Sequence, residues 1–263
     1  MRIEKFKLKK NKSKIICLTA YSKNFAEEID KYTDLILVGD SLGSVLYNFN
    51  STRKVTLNMM IEHSKSVRMG ITKSLMIVDM PYNTYKNKNE ALKNCKKVMK
   101  ETKCHGVKLE GGKKIKNIVQ HLIKNNIPVL GHLGIMPQSV KGNFKSKGKS
   151  LKERKQLMND SILLEKIGVF GIVLECVEKS LAKKITNKIS IPTIGIGSSN
   201  NCDGQILVTD DMLGISGFYP KFVKKYAYLD RIIEKAVKKY TRDVKLNKFP
   251  TNKNFLNGTK TRD

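Results

Sequence analysis

Acidic side chains end several hydrophobic runs that lie far apart in this chain. Asp40 ends LILVGD, Asp79 ends LMIVD, Glu110 ends GVKLE and Glu175 ends GIVLE. Because the carboxyl ends of parallel strands open on one face of an α/β fold, residues in these positions converge in space. Carboxylate oxygens are preferred ligands of Mg²⁺ and are also common proton acceptors. The pattern therefore predicts one site that binds a metal and moves a proton.

Lys108 and Glu110 stand two residues apart at the end of one predicted strand, so their side chains face the same way. Facing the interior of a barrel, the ammonium would hold an anionic carboxylate and the glutamate would support the metal through water. Facing outward, the two would form a surface ion pair contributing at most about 1 kcal/mol. The spacing leaves both alternatives open.

His132 and Glu175 are the candidates for direct participation in a reaction. His132 follows a strand-like run and begins the long segment from Gly131 to Ser150, where an imidazole can donate a hydrogen bond to a substrate oxygen. A lone histidine is more often structural, which is the alternative. Desolvation at the end of an apolar run would raise the basicity of Glu175 toward that of a general base. The alternative for Glu175 is a structural role as a buried glutamate paired with a lysine.

Asp40 and Asp79 also have a structural alternative. Each precedes a turn or helix, and an aspartate in that position commonly caps the backbone that follows it. Several acids at corresponding strand ends are better explained by a shared site than by several independent caps.

The chain is strongly basic, with 51 lysines and arginines against 23 acids and a formal net charge of +28. Such a balance can indicate binding to nucleic acid. The basic residues are mostly lysines spread along the chain, however, whereas base reading and bidentate phosphate recognition favour arginine. We expect no nucleic acid as a partner, and a lysine-rich nucleic-acid-binding protein is kept only as an alternative from another functional class.

Length and composition favour a cytoplasmic protein of one domain. The 263 residues can form one large core. No apolar stretch approaches the roughly 18 residues of a membrane span, and the basic first segment lacks the apolar core of a secretion signal. The 5 cysteines include no CxxC spacing, so we expect reduced thiols and neither disulfides nor structural zinc.

Strand-like and helix-like segments alternate along the chain. The predicted strands are Ile15–Ala20, Asp34–Gly39, Ser74–Asp79, Gly106–Glu110, Pro128–His132, Gly168–Glu175, Pro192–Gly197 and Gln205–Val208. The predicted helices are Asn24–Lys31, Leu57–Met69, Asn89–Glu101, Lys114–Asn125, Leu151–Ile167 and Lys179–Ile189. This order predicts a single (β/α)₈ TIM barrel over residues 1–250, followed by a polar tail over 251–263. An open doubly wound sheet is the alternative.

A set of motifs between about Ile16 and Pro250 is specific to one enzyme family. In order, they are LTAYS, LVGDSLG, VDMPY, VKLEGG, IPVLGHLGIMPQS, VLECV and IPTIGIGSS. With them the chain resembles the ketopantoate hydroxymethyltransferases, which make 2-dehydropantoate from 3-methyl-2-oxobutanoate on the route to pantothenate and coenzyme A. The resemblance implies a (β/α)₈ barrel and 5,10-methylenetetrahydrofolate as the one-carbon donor.

The same resemblance assigns roles to residues of this chain. It implies Mg²⁺ at Asp40, Asp79 and Glu110, and Glu175 as the proton acceptor. It implies that the 2-oxo acid is bound by Asp40, Ser41, Asp79, Lys108 and His132. It also implies a homo-oligomer, which is a decamer in the family. Among enzymes, the alternative is a Mg²⁺-dependent carbon–carbon lyase of the isocitrate-lyase and phosphoenolpyruvate-mutase kind, although the sequence has no recognisable reactive-cysteine loop of that kind.

Overall fold

The computed structural model describes residues 2–138, 146–217 and 219–255. Within these residues, parallel strands close into a barrel in which each strand pairs with the next and the last pairs with the first. The strands are β1 (Ile15–Thr19), β2 (Leu35–Val38), β3 (Leu75–Asp79), β4 (Gly106–Glu110), β5 (Val129–Gly134), β6 (Gly171–Glu175), β7 (Thr193–Ile196) and β8 (Gly204–Leu207). The predicted (β/α)₈ barrel is confirmed, and the open sheet is wrong.

Helices follow the strands as the alternation predicts, except between β7 and β8, where the described residues 197–203 contain no helix. They are α1 (Ile3–Lys7), α2 (Lys23–Asp30), α3 (Leu42–Val45), α4 (Leu57–Met69), α5 (Lys88–Thr102), α6 (Lys116–Lys124), α7 (Leu151–Lys166), α8 (Lys179–Lys188), α9 (Thr209–Leu213) and α10 (Leu229–Lys245), with 3₁₀ turns at Thr52–Lys54, Lys113–Ile115 and Asn252–Asn254. The predicted helices are confirmed with small shifts at their ends. The helices α1, α3 and α9 were not predicted because they are too short to show helical periodicity, and α10 was not predicted although its pattern is amphipathic.

Successive side chains of each strand point alternately toward the helices and into the barrel, so the strands lie between two apolar layers. Val107 and Leu109 of β4 pack in the layer between the barrel and its helices. A second cluster fills the barrel interior and includes Cys17, Leu35, Leu37, Leu75, Ile77, Leu130, Val173, Ile194 and Ile206. Lys108 and Glu110 alternate with Val107 and Leu109, so they point to the interior side, where both are buried. The interior is thus apolar along most of its length and polar where the strands end.

The amino end of the barrel is closed by α1. Phe6 is fully buried and belongs to the interior cluster. Its ring meets that of Phe170 edge to face, with centroids 5.8 Å apart and an interplanar angle of 81°. This aromatic pair seals the apolar interior at the end opposite the acidic residues.

The chain divides into two compact units. One comprises Met1–Thr209 and Pro220–Val223 and contains the barrel, and the other comprises Asp210–Tyr219 and Lys224–Asp263 and contains α10. No described helix is both long enough and apolar enough to cross a membrane. Residues 139–145 of the long segment after β5, and residues 256–263 of the predicted polar tail, lie outside the described residues.

Asp30 at the end of α2 fixes the segment that leads into β3. Its Oδ2 accepts hydrogen bonds from Thr72 N (2.9 Å), Thr72 Oγ1 (2.8 Å) and Lys73 N (2.9 Å). Its Oδ1 accepts one from Ser74 N at 2.8 Å. Burial alone would raise the pKa of Asp30, but these hydrogen bonds outweigh it and lower the pKa to about 2.

We expect Asp30→Asn to lower the free energy of unfolding by roughly 2 kcal/mol at pH 7, because the amide cannot accept all of these bonds. The folded-state pKa is depressed, so the contribution is present above the unfolded pKa near 4 and is lost as the pH falls toward about 2. Urea denaturation at several pH values measures both effects. The exposed Glu28→Gln is the control, and a cost that stays constant from pH 7 to pH 3 would contradict this account.

Candidate active site

The strand ends bring every predicted site residue to one face of the barrel. Asp40 and Ser41 follow β2, Asp79 and Glu175 end β3 and β6, Lys108 and Glu110 lie on β4, and His132 lies on β5. Asp79 is in register with Lys108, and Glu110 is in register with His132. Asp40 is joined to this group because its backbone N–H donates to Asp79 Oδ2 at 3.1 Å. The predicted convergence is therefore observed.

Lys108 is the ammonium at the centre of the site. Its Nζ lies 2.8 Å from Asp79 Oδ1 and donates to His132 Nδ1 at 3.1 Å. Its side chain is only 5% exposed, and burial alone would lower its pKa, but the negative charges of Asp79, Glu110 and Asp40 outweigh burial and raise the pKa. Lys108 therefore stays charged and faces the interior, so the surface-pair alternative is wrong.

His132 connects Lys108 with Glu175. Because Nδ1 accepts a hydrogen bond from the ammonium, the ring proton belongs on Nε2. Nε2 lies 3.2 Å from Glu175 Oε2. Despite this short distance, Nε2 has no hydrogen bond of regular geometry to any described residue. Burial and the charge of Lys108 lower the pKa of His132, so the ring is a neutral donor whose N–H is available to a substrate.

Gln138, a residue that the sequence analysis did not single out, joins two of the acids. It is 2% exposed. Its side-chain Nε2 donates to Asp40 Oδ2 at 2.8 Å and to Met80 O at 3.0 Å, and its backbone N–H donates to Glu110 Oε2 at 3.1 Å. The signal that could have found it is its place in the motif GHLGIMPQS.

Two side chains that bond to Gln138, and a third that packs on one of them, were also missed. Tyr85 donates its hydroxyl to Gln138 Oε1 at 2.5 Å, and burial, followed by the charge of Glu110, raises the pKa of this phenol so that it remains a donor. Arg53 donates from Nε to Gln138 O at 2.7 Å. The Arg53 guanidinium also lies over the ring of Tyr82, 4.5 Å from its centroid. Tyr82 is the last residue of the motif VDMPY, and Tyr85 lies three residues after it, so this motif could have indicated the region.

The buried acids are not balanced by the positive charge of Lys108. Burial, and then the charge of Asp79, raises the pKa of Asp40 to about 7. Burial also raises the pKa of Glu110, with Asp40 and Asp79 adding to the effect and Lys108 opposing it. A cation placed among these groups would relieve the repulsion and favour their ionised forms.

The donor set fits a hard divalent ion. Asp79 Oδ1 and Glu110 Oε1 are buried without a hydrogen bond from any described residue, although Oδ1 forms the ion pair with Lys108. No group of three acidic, histidine or cysteine side chains in the described ranges has the spacing of a complete metal cage. Mg²⁺ commonly takes one or two protein carboxylates and fills its remaining positions with water or substrate.

Comparison with known families agrees with this geometry. The family model described as ketopantoate hydroxymethyltransferase matches residues 1–252. The chain belongs to this family. A Pelagibacter ubique 3-methyl-2-oxobutanoate hydroxymethyltransferase is 62% identical over 252 residues, which cover 96% of this chain and 98% of that protein. Proteins with the same description from Anaplasma marginale and Helicobacter pylori are 47% and 46% identical, covering 92% of this chain and 88% and 91% of theirs.

Solved structures of other enzymes share this fold at much lower sequence identity. Phosphonopyruvate hydrolase in complex with oxalate and Mg²⁺ aligns with a TM-score of 0.62 at 8% identity, covering 94% of this chain and 88% of that one. A 2,3-dimethylmalate lyase aligns with a TM-score of 0.60 at 12% identity, covering 92% and 86%. At these identities the likeness shows the barrel fold alone, so it gives no support to the lyase alternative.

We expect His132 to titrate with a midpoint below 6.5 in the metal-free protein, because burial and Lys108 both disfavour the imidazolium. Proton NMR of the imidazole Cε1–H across a pH series measures the midpoint, and the His132→Asn variant assigns the signal. Glu175→Gln is the informative companion variant: it removes the negative charge that opposes the shift and should lower the midpoint further. A midpoint above 6.5 would contradict the neutral ring.

Proposed function

We propose that this protein transfers a hydroxymethyl group from 5,10-methylenetetrahydrofolate to 3-methyl-2-oxobutanoate, giving 2-dehydropantoate in the first step toward pantothenate and coenzyme A. The observation that carries the proposal is the gathering of Asp40, Asp79, Glu110, Lys108 and Glu175 at one strand-end face. The support for the substrate is the 62% identity to a protein described by that activity.

Lys108 and His132 would bind the 2-oxo acid. An ammonium has three N–H donors. Lys108 directs one toward Asp79 and one toward His132, so the third remains for the substrate carboxylate. The unpaired N–H of His132 would donate to a substrate oxygen. Ser41 would add its hydroxyl, which is held by Tyr21 at an Oγ to OH distance of 2.8 Å.

Asp40, Asp79 and Glu110 would hold Mg²⁺, with Glu110 acting through water. When bound, the ion would supply Lewis-acid stabilisation of the negative charge that develops on the substrate oxygens. The three acids suit this role because they are buried at fixed positions: Asp40, Asp79 and Glu110 are 5%, 2% and 6% exposed. Fixed charges in a water-poor site act more strongly than the same charges in water.

Glu175 would remove the proton from C3 of the substrate. Its side chain is 19% exposed, more open than that of its neighbour His132, and can therefore be reached by a bound substrate. The electrons of the C–H bond would then make C3 nucleophilic. Both bonds between the one-carbon unit and the folate nitrogens would break as water adds to that unit, so that tetrahydrofolate departs with the two hydrogens of the water on its nitrogens and the unit keeps the oxygen at the formaldehyde level. C3 would bond to this carbon, and its oxygen would take the proton held by Glu175 to become the hydroxyl of the new hydroxymethyl group.

We expect Glu175→Gln to slow hydrogen–deuterium exchange at C3 of 3-methyl-2-oxobutanoate about 10²- to 10⁴-fold, the usual contribution of a general base. The exchange is followed by NMR in D₂O with Mg²⁺ and without folate, so that proton removal is observed separately from transfer. Glu62→Gln, an exposed glutamate on α4, should exchange like the wild type. Equal rates in wild type and Glu175→Gln would eliminate this base.

We also propose that the protein forms a homo-oligomer, a decamer as in the family. The support within the chain is α10, none of whose residues is buried. Apolar side chains recur on it at helical spacing: Ile232, Val237 and Tyr240 are 60%, 55% and 58% exposed. An apolar stripe of this kind normally covers another surface, and a second copy of the chain is the occupant we propose.

The double variant Val237→Asp with Tyr240→Asp should reduce the assembly mass, because it places two charges in the apolar stripe. Sedimentation velocity or light scattering measures the mass at matched concentration. Arg242→Asp introduces the same residue on the polar side of α10 and should leave the mass unchanged. A double variant of undiminished mass would show that α10 does not contribute to the assembly.

A further inference from the structure

Gln138 contacts two of the three acids that we assign to the metal, Asp40 and Glu110. We infer that Gln138 is a positioning residue, which holds one oxygen of Asp40 and one of Glu110 so that the second oxygen of each is presented to the divalent ion. This inference rests on the proposed metal site and goes beyond it, because neither the charge pattern nor the strand ends point to a glutamine.

The contacts hold one oxygen of Asp40 and one of Glu110, and they leave the second oxygen of Glu110 without a hydrogen bond. The Gln138 amide donates to Asp40 Oδ2 at 2.8 Å, and the Gln138 backbone donates to Glu110 Oε2 at 3.1 Å. Glu110 Oε1 is buried and receives no hydrogen bond from the residues that the structure describes. A carboxylate held at one oxygen cannot rotate freely, so its other oxygen has a defined direction, as a hard cation requires.

Tyr85, Asp40 and Met80 together favour one orientation of the Gln138 amide. Its hydroxyl donates to Oε1 at 2.5 Å, while Nε2 donates to Asp40 and, at 3.0 Å, to the carbonyl of Met80. A flipped amide would place Oε1 against a carboxylate and a carbonyl, where it has no donor to accept from. Only one orientation satisfies every group, and the phenol of Tyr85 reinforces it.

The backbone of Gln138 is fixed independently of its side chain. Arg53 Nε donates to the Gln138 carbonyl at 2.7 Å, and the guanidinium is held over the ring of Tyr82. The bond from the Gln138 N–H to Glu110 therefore survives replacement of the side chain. A side-chain variant consequently tests the hold on Asp40 while leaving the hold on Glu110 in place.

The test is binding of Mn²⁺ alone to metal-free protein, followed by electron paramagnetic resonance of the free ion. Gln138→Met keeps the length of the side chain and removes its polar atoms, and should raise the dissociation constant for Mn²⁺ roughly 10- to 100-fold, as loss of a group that orients a ligand does. Tyr85→Phe should raise it by a smaller factor. Adding Tyr85→Phe to Gln138→Met should have no further effect, because Tyr85 acts through the amide.

Gln156→Met is the matched control, since Gln156 is exposed on α7. It should bind Mn²⁺ like the wild type. A second readout is the Mg²⁺ dependence of C3 exchange: Gln138→Met should shift the half-saturating Mg²⁺ concentration upward, while the rate at saturating Mg²⁺ recovers toward the wild-type value. A residue needed only for folding would alter thermal unfolding without this shift.

Asp40→Asn separates failure of this inference from failure of the proposed site. If Asp40→Asn binds Mn²⁺ as tightly as the wild type, the metal assignment is wrong and the role of Gln138 is overturned with it. If Asp40→Asn loses Mn²⁺ while Gln138→Met and Tyr85→Phe bind normally, only the role of Gln138 is wrong. Should Gln138→Met not fold, Tyr85→Phe decides alone, and an unchanged dissociation constant overturns the inference.

Discussion

The burial of Lys108 among carboxylates is the constraint on which the site depends. Its ammonium lies 2.8 Å from Asp79 and donates to His132, and both groups are almost inaccessible to water. Leaving this ammonium unpaired in the interior would be costly, so Asp79 and His132 are held in place by the same charge that they stabilise. The tautomer of His132, with its proton on Nε2, follows from this single contact.

The barrel can accommodate these buried charged side chains because it buries polar and apolar side chains in different regions. Its interior is filled by an apolar cluster that is closed by Phe6 and Phe170 at the amino end. At the carboxyl ends of the strands, beyond this apolar cluster, lie the polar side chains of the site, which form hydrogen bonds and ion pairs with one another. Charges in such surroundings keep fixed positions, and fixed dipoles and charges are the largest contribution that most enzymes make to catalysis.

The sequence was sufficient for the barrel and for the convergence of the acids, because both follow from local patterns. Strands buried on both faces appear as short apolar runs, and β3 and β6 each end in an acid to which the proposed function gives a role. The direction of Lys108 could not be predicted, because alternation on β4 says only that it opposes Val107, not which side is interior. Gln138 was missed because a neutral amide has no pattern of charge or periodicity, and its role depends on a backbone path that brings it to Asp40.

The choice of a neutral donor for Asp40 has an electrostatic consequence. An arginine or lysine in place of Gln138 would also grip the carboxylate, but its own charge would satisfy the acids and compete with a divalent ion for them. An amide aligns Asp40 at 2.8 Å and adds no net charge to the cluster. The repulsion among the acids is thereby left uncompensated in the absence of an ion. In the proposed site, the uncharged side chain of Gln138 would therefore help to maintain the affinity for a cation.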